Sequence, residues 1–469
     1  MHGLEFRGRS GVNMLVITGK YNSANVMIDD IEDEARSQIQ SFLNHPDFQG
    51  PPIVIQPDTH CGKGSVIGFT MPLTGRSIGP AIVGVDIGCG MYSVNIGKPS
   101  LNFEKLHRAI ESRIPHGMET HGTSILEMES DSDLLLESFS GSSALKTGCF
   151  DELHCGFPWS EANCRATAFA TAFEAAFGQK ISHLKPVYSD SWFAGKCGEV
   201  NIDLRRCRAS LGSLGSGNHF IEVDIAPNGD HWLTVHSGSR NFGLKICNHW
   251  MENGAQIFSQ EPGAKVNGCV GGSGSGKKLT GSQRGDGFTF LQGAAMAGYF
   301  FDMIFAQIYA SVNRRLMALQ LIRNFGWQVV DEVETVHNYI DFEDLIVRKG
   351  AIAARTGQRV IIPFNMSFGI AVARGLGNSL WNCSAPHGAG RLMSRSKARK
   401  FLSLDEFRKR MSHVHSWCVN YDTLDESPMA YKNPAAILRA ISPTVELEFL
   451  MKPVFNFKDG GKGVSGRRK

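Results

Sequence analysis

Apolar positions along the chain follow two patterns. Short runs rich in β-branched residues, at Met14–Thr18, Ile53–Ile55, Ser65–Pro72, Ala81–Val85, Trp232–Val235 and Val360–Pro363, predict strands. Longer stretches with helical periodicity predict helices over Ala24–His45, Phe103–Ser112, Ser160–Phe177, Leu244–Phe258 and Phe288–Phe325. The two kinds mix without a regular strand–helix–strand alternation, so the expected class is α/β of the mixed α+β kind, not a Rossmann or P-loop fold. No fixed-period repeat and no Pro- or Ser-rich linker divides the chain. One large domain over residues 1–458 is expected, with a basic, Gly-rich flexible tail over 459–469. Weak periodicity in Glu127–His154 and Ser182–Cys197 reads as surface insertion.

The most apolar long stretch, Gly293–Val312, carries Asp302 and Gln307 and runs into Arg314 and Arg315, which argues for a buried helix and against a membrane span. With 48 Lys+Arg against 45 Asp+Glu, the net charge of +3 does not by itself indicate a polyanionic partner, so any such surface has to be local. Two basic clusters stand out: Arg391, Arg395, Lys397, Arg399 and Lys400, then Arg408, Lys409 and Arg410. The second reads as a solvated helix face, whereas the first begins inside a Gly-His motif, which gives it functional weight. The 11 cysteines follow no secretory pattern in Met1–Leu15, which argues against a disulfide framework and for a reducing, cytoplasmic setting. Glycine is the compositional outlier. It accounts for 52 of 469 residues and is concentrated in short motifs, so tight turns and close backbone approaches are expected.

One Gly-rich segment, GGSGSGKK at 271–278, has the glycine and lysine spacing of a phosphate-binding loop, but Lys278 stands where a Ser or Thr would bind magnesium and no strand precedes it. A flexible loop is the better reading. More specific are five glycine-punctuated motifs: PDTHCGKG at 57–64, GVDIGCGM at 84–91, GSGNHFIEV at 215–223, HSGSR at 236–240 and HGAGR at 387–391. Asp86 and Cys89 are three apart where a strand is expected to break into a turn, so both can converge on one point. Together with His219, His236 and His337 they offer sulfur, oxygen and nitrogen donors for one or two divalent metals. By donor type alone, zinc or iron would come first.

These motifs, with HNYID at 337–341, RKGA at 348–351, HGAGRLMSR at 387–395 and DESPMAYK at 425–432, resemble in order the signature blocks of the RtcB-type tRNA-splicing ligases. The resemblance implies that family's own fold, with a central metal and nucleotide cleft. It also implies a GTP- and manganese-dependent enzyme joining RNA that ends in a 2′,3′-cyclic phosphate or 3′-phosphate to RNA that begins with a 5′-hydroxyl, for tRNA splicing or RNA repair, with archease as a possible partner. By the same resemblance His387 is the nucleophile that carries GMP, and Asp58 and Lys349 assist it. Asp86, Cys89, His219, His236 and His337 hold two manganese ions, with Cys89 bridging. Asn218, Glu222, Asn338, Gly388, Gly390, Tyr431 and Lys458, with His337 and His387, form the nucleotide site, and Arg240, Arg391 and Arg395 contact phosphates or RNA.

The chain departs from the family pattern in places. Cys61 stands where an aromatic residue is usual, and in PFNMS at 363–367 Phe364 and Ser367 replace glycines, where a Cβ would obstruct a close approach or a positive φ. Such changes fit a repair paralogue. They also keep two other classes open: a metal-dependent cyclic-phosphate hydrolase without nucleotide transfer, and an RNA-binding protein without ligase activity.

Overall fold

The computed structural model describes residues 14–126, 157–259 and 289–460. A six-stranded sheet has the order β1 (Leu15–Thr18), β2 (Ser23–Val26), β3 (Ile53–His60), β4 (Ile67–Pro72), β10 (Ile346–Lys349) and β9 (Asn338–Asp341), antiparallel except where β2 runs parallel to β3. A seven-stranded antiparallel sheet has the order β12 (Arg359–Asn365), β13 (Gly369–Gly375), β15 (Val445–Phe457), β6 (Phe220–Ile225), β7 (His231–Ser237), β5 (Gly90–Asn95) and β8 (Asp331–Val336). A short pair, β11 (Ala351–Ala353) and β14 (Ser384–Pro386), joins them, with β11 touching both β4 and β8.

The helices are α1 (Asp33–Leu43), α2 (Pro80–Val83), α3 (Phe103–Arg113), α4 (Trp159–Phe177), α5 (Asp190–Glu199), α6 (Leu204–Ala209), α7 (Arg240–Ser259), α8 (Gly293–Phe325), α9 (Arg395–Phe401), α10 (Leu404–Arg410) and α11 (Pro434–Ile441). The 33-residue α8 organises the core: it packs on α7, α4, β7 and β5 and is buried over most of its circumference. By length and composition it could cross a membrane, but the protein itself covers it. Its polar residues are used internally. Asp302 accepts from Trp250 Nε1 at 2.8 Å and pairs with Lys196 at 3.1 Å. The fully buried Arg314 pairs with Glu334 at 2.7 Å and donates to the carbonyls of Gly88 at 2.7 Å and Ser237 at 2.8 Å.

Most expected elements are present, with three corrections. Ala81–Val85 is not a strand: Pro80 at the first helical position and Gly84 at φ 93° close the run into the single turn α2. Ala24–His45 is not one helix, because Ser23–Val26 pairs as β2 before α1 begins at Asp33. Ser182–Cys197 is not a surface insertion. Ser189 caps α5 by accepting from Trp192 N, and α5 buries Phe193 and Cys197, with Phe193 against Phe305 of α8 at 5.1 Å. The expected insertion at 127–154, the Gly-rich loop at 271–278 and most of the tail lie outside the described residues.

Candidate active site

The ligand candidates are carried to one point by the ends of neighbouring strands of the seven-stranded sheet. Asp86 and Cys89 lie in the turn between α2 and β5, His219 precedes β6, His236 lies in β7, and His337 follows β8. Gly238 has to be a glycine here, since a Cβ on it would lie 2.1 Å from Asp86 Oδ1. Cys89 Sγ is 3.3 Å from His236 Nε2 and 3.5 Å from His219 Nε2, which is 3.1 Å from Asp86 Oδ2; His236 Nε2 is 3.4 Å from His337 Nε2. The atoms form two triads, Asp86–Cys89–His219 and Cys89–His236–His337, sharing the one sulfur.

Protonation fits a cation site. His219 donates Nδ1–H to Leu214 O at 2.8 Å and His236 donates Nδ1–H to Asn218 O at 3.2 Å, which leaves each Nε2 its lone pair. Burial, followed by neighbouring positive charge, holds His236 and His337 well below the ordinary histidine value, so both rings stay neutral. Burial, with Asp86 beside it, pushes the Cys89 thiol well up, and a bound cation is what would draw out the thiolate. Acceptor atoms thus face one another with few protons between them, an arrangement that a divalent metal satisfies.

Next to the second triad stands His387, its ring centroid 4.8 Å from that of His337. Its Nδ1 is 2.6 Å from Asp58 Oδ2 and 2.9 Å from Gly350 O, so the proton is fixed on Nδ1 and the Nε2 lone pair is free. Asp58, fully buried in β3, comes from the other sheet. Gly390, at φ 74°, makes this junction possible, because a Cβ there would lie 2.1 Å from Asp58 O.

A cavity of about 880 Å³ extends from His387 and His337, walled by Asn218, Glu222, Asn338, Gly388, Gly390, Arg391, Arg395, Tyr431 and Lys458. Burial raises the Glu222 carboxyl to about 7 even though Asn456 donates to its Oε2 at 2.5 Å. Glu426 is a functional residue that individual-residue reading missed, although DESPMAYK contains it. Its Oε1 pairs with Arg391 at 3.2 Å and Arg395 at 2.5 Å, and its Oε2 accepts from Tyr431 at 2.6 Å and Lys458 at 3.2 Å. Burial alone would raise Glu426, but Lys458, Arg395 and Arg391 together outweigh it and hold the carboxyl below its ordinary value.

Lys349 and Arg240 are neither in the cavity wall nor among the two triads. Lys349 donates instead to the carbonyls of Lys63 and Ala81, and burial lowers it to about 7, so it braces the backbone around α2. Arg240 donates to Ser213 Oγ at 3.1 Å and Gly117 O at 3.0 Å, on the Asp86 side of the metal group. The PFNMS departures are accommodated: neither Phe364 nor Ser367 has a positive φ, Phe364 packs in an apolar cluster while lining the cavity, and Ser367 donates to Arg410 O at 3.0 Å. Cys61 is exposed at the cavity edge.

Comparison with known proteins identifies the family. The chain is 31% identical over 451 residues to "RNA-splicing ligase RtcB" of Escherichia coli (strain K12), covering 90% of this chain and 94% of that protein. It is 24% identical over 464 residues to "RNA-splicing ligase RtcB2" of Escherichia coli (strain ATCC 25922), covering 92% and 93%. It is 23% identical over 447 residues to "tRNA-splicing ligase RtcB" of Nanoarchaeum equitans, covering 82% and 83%. The family model described as tRNA-splicing ligase RtcB matches residues 38–459, a span that contains every candidate ligand, the His387–Asp58 pair and most of the cavity wall, and the chain therefore belongs to the RtcB family of RNA ligases.

Proposed function

We propose that the chain is a GTP-dependent ligase that joins RNA ends bearing a 2′,3′-cyclic phosphate or 3′-phosphate to 5′-hydroxyl ends through a guanylylated His387. The observation that carries this reading is the free Nε2 of a histidine whose other nitrogen is fixed by a buried carboxylate, beside two metal-ligand triads at one end of a large polar cavity.

His387 Nε2 attacks the α-phosphorus of GTP; an N–P bond forms, the bond to pyrophosphate breaks, and Asp58 offsets the charge that appears on the ring. An oxygen of the RNA 3′-phosphate then attacks that phosphorus and displaces the imidazole, leaving RNA capped through a pyrophosphate linkage. A cyclic end first requires hydrolysis to the 3′-phosphate. The 5′-hydroxyl attacks the 3′-phosphate, loses its proton, and GMP departs as a far better leaving group than hydroxide. Manganese held by Asp86, Cys89, His219, His236 and His337 would supply charge stabilisation at the phosphates. Donor type alone favours zinc or iron, so manganese rests on the family.

Glu222, when ionised, accepts the guanine N1–H and amino hydrogens, a pattern adenine lacks. Asn218, Asn338, Tyr431 and Lys458 complete the nucleotide wall, the backbone at Gly388 and Gly390 lets phosphates approach, and Arg391 and Arg395 contact phosphate. Arg240 acts through the Asp86 side of the metal group, and Lys349 as a brace.

Labelled GTP with manganese, run beside ATP and with and without archease, should give an acid-labile, base-stable adduct that is lost in His387→Ala. Absence of the adduct across metals and nucleotides overturns the reading, and hydrolysis of cyclic ends without GTP would replace it with the hydrolase.

A further inference from the structure

We infer that α9, with Leu392 before it and Phe401 at its end, is the track along which the unpaired 3′ segment of the RNA substrate lies, with Phe401 as a stacking platform for a base. The inference rests on the proposed RNA chemistry and assigns it a surface.

The helix begins at the cavity mouth, which Arg395, Ser396 and Lys397 line, and leads away from it. At about 1.5 Å per residue, Phe401 lies about 9 Å along the axis from Arg395. From His387 to Phe401 the sequence contains no acidic residue. Arg395 pairs with both Asp425 and Glu426, Arg399 pairs with Asp425, and Lys397 reaches Glu34 at 3.5 Å between exposed side chains. Lys400 has no carboxylate partner among the described residues; its Nζ lies 5.2 Å from the Phe401 ring. The neighbouring α10 is different. Its Arg408 and Arg410 are matched within the helix by Asp405 at 3.3 Å and Glu406 at 2.8 Å, so two of its three cations are neutralised by the helix itself.

Three of the four cations of α9 thus have carboxylate partners and Lys400 does not; next to Lys400, Phe401 is 68% exposed, and Leu392, before the helix, is 51% exposed. Large apolar side chains next to phosphate-binding cations suit single-stranded RNA, whose bases stack on them while the backbone follows the charge. The interior base pairs of a duplex, covered on both faces, offer nothing to such a platform.

The test is the affinity of the full chain for a single-stranded RNA oligonucleotide ending in a 3′-phosphate, measured at two salt concentrations. Phe401→Ala should weaken binding by about 5-fold or more, Phe401→Trp should restore it, and Lys400→Glu should lower the salt slope by about one. Arg410→Glu should leave both unchanged. GTP adduct formation should stay within about twofold of the parent in the Phe401 variants, since stacking acts on RNA alone. RNA affinity unchanged in both Phe401→Ala and Lys400→Glu overturns the inference. Failure of the parent chain to form an adduct, with RNA binding still dependent on Phe401, would instead count against the proposed ligase chemistry.

Discussion

Asp58 and His387, 329 positions apart in sequence, meet at 2.6 Å through Oδ2 and Nδ1, and this contact decides which ring nitrogen can act. Asp58→Asn presents an amide that can donate to Nδ1 and drive the proton onto Nε2. Single-turnover adduct formation should then fall by about 10- to 100-fold while GTP still binds. A rate equal to that of the parent would mean that Gly350 O alone fixes the tautomer.

Because Cys89 belongs to both ligand triads, its loss should have a different signature from the loss of a histidine in one of them. Calorimetric titration with manganese should show no tight site in Cys89→Ala and one remaining site in His219→Ala. Two sites surviving in Cys89→Ala would show that the sulfur bridges nothing.

Recognition of guanine should depend on pH through Glu222, which burial holds near 7. Below that value the carboxyl is protonated and can accept fewer base hydrogens; above it the carboxylate is available. The KM for GTP in adduct formation should therefore fall as pH rises through about 7, and Glu222→Gln should flatten the dependence. The same raised carboxyl lowers the folded state's stability as pH climbs from its ordinary value of 4.5 toward 7, because the unfolded chain releases that proton first. The gain in binding is thus opposed by a loss in stability.

Phe364 fills an apolar cluster with Ala389 and Val360 while forming part of the cavity wall. Phe364→Ala should cost about 3–5 kcal/mol in urea unfolding. A cost below about 1 kcal/mol would mean that the wall collapses to fill the space.

Residues of the candidate site were legible in sequence because they lie in short motifs: the spacing of Asp86 and Cys89 lets both converge on one point, as they do in one triad, while His387 is marked by the resemblance of its block. What supports them was not. Arg314 reads as the polar end of an apolar stretch, and its work depends on which carbonyls the fold presents, here those of Gly88 and Ser237 beside the ligand-bearing turns. Lys349 sits next to the Gly350 whose carbonyl holds His387, yet its side chain leaves for Lys63 and Ala81, a direction that sequence adjacency does not specify. The four-residue turn α2 was misread for a simpler reason, since a run that short has no period to distinguish helix from strand.

The place of β15 has a consequence for how the protein comes to be active. It pairs with β13 on one side and β6 on the other, so it joins the two parts of the seven-stranded sheet, and Asn456 near its end and Lys458 just after it line the cavity. Strand closure across more than 200 residues is a slow, entropically costly event. A growing chain on which every candidate metal ligand has been made therefore still lacks Asn456 and Lys458, and the cavity wall stays incomplete until β15 is made and paired.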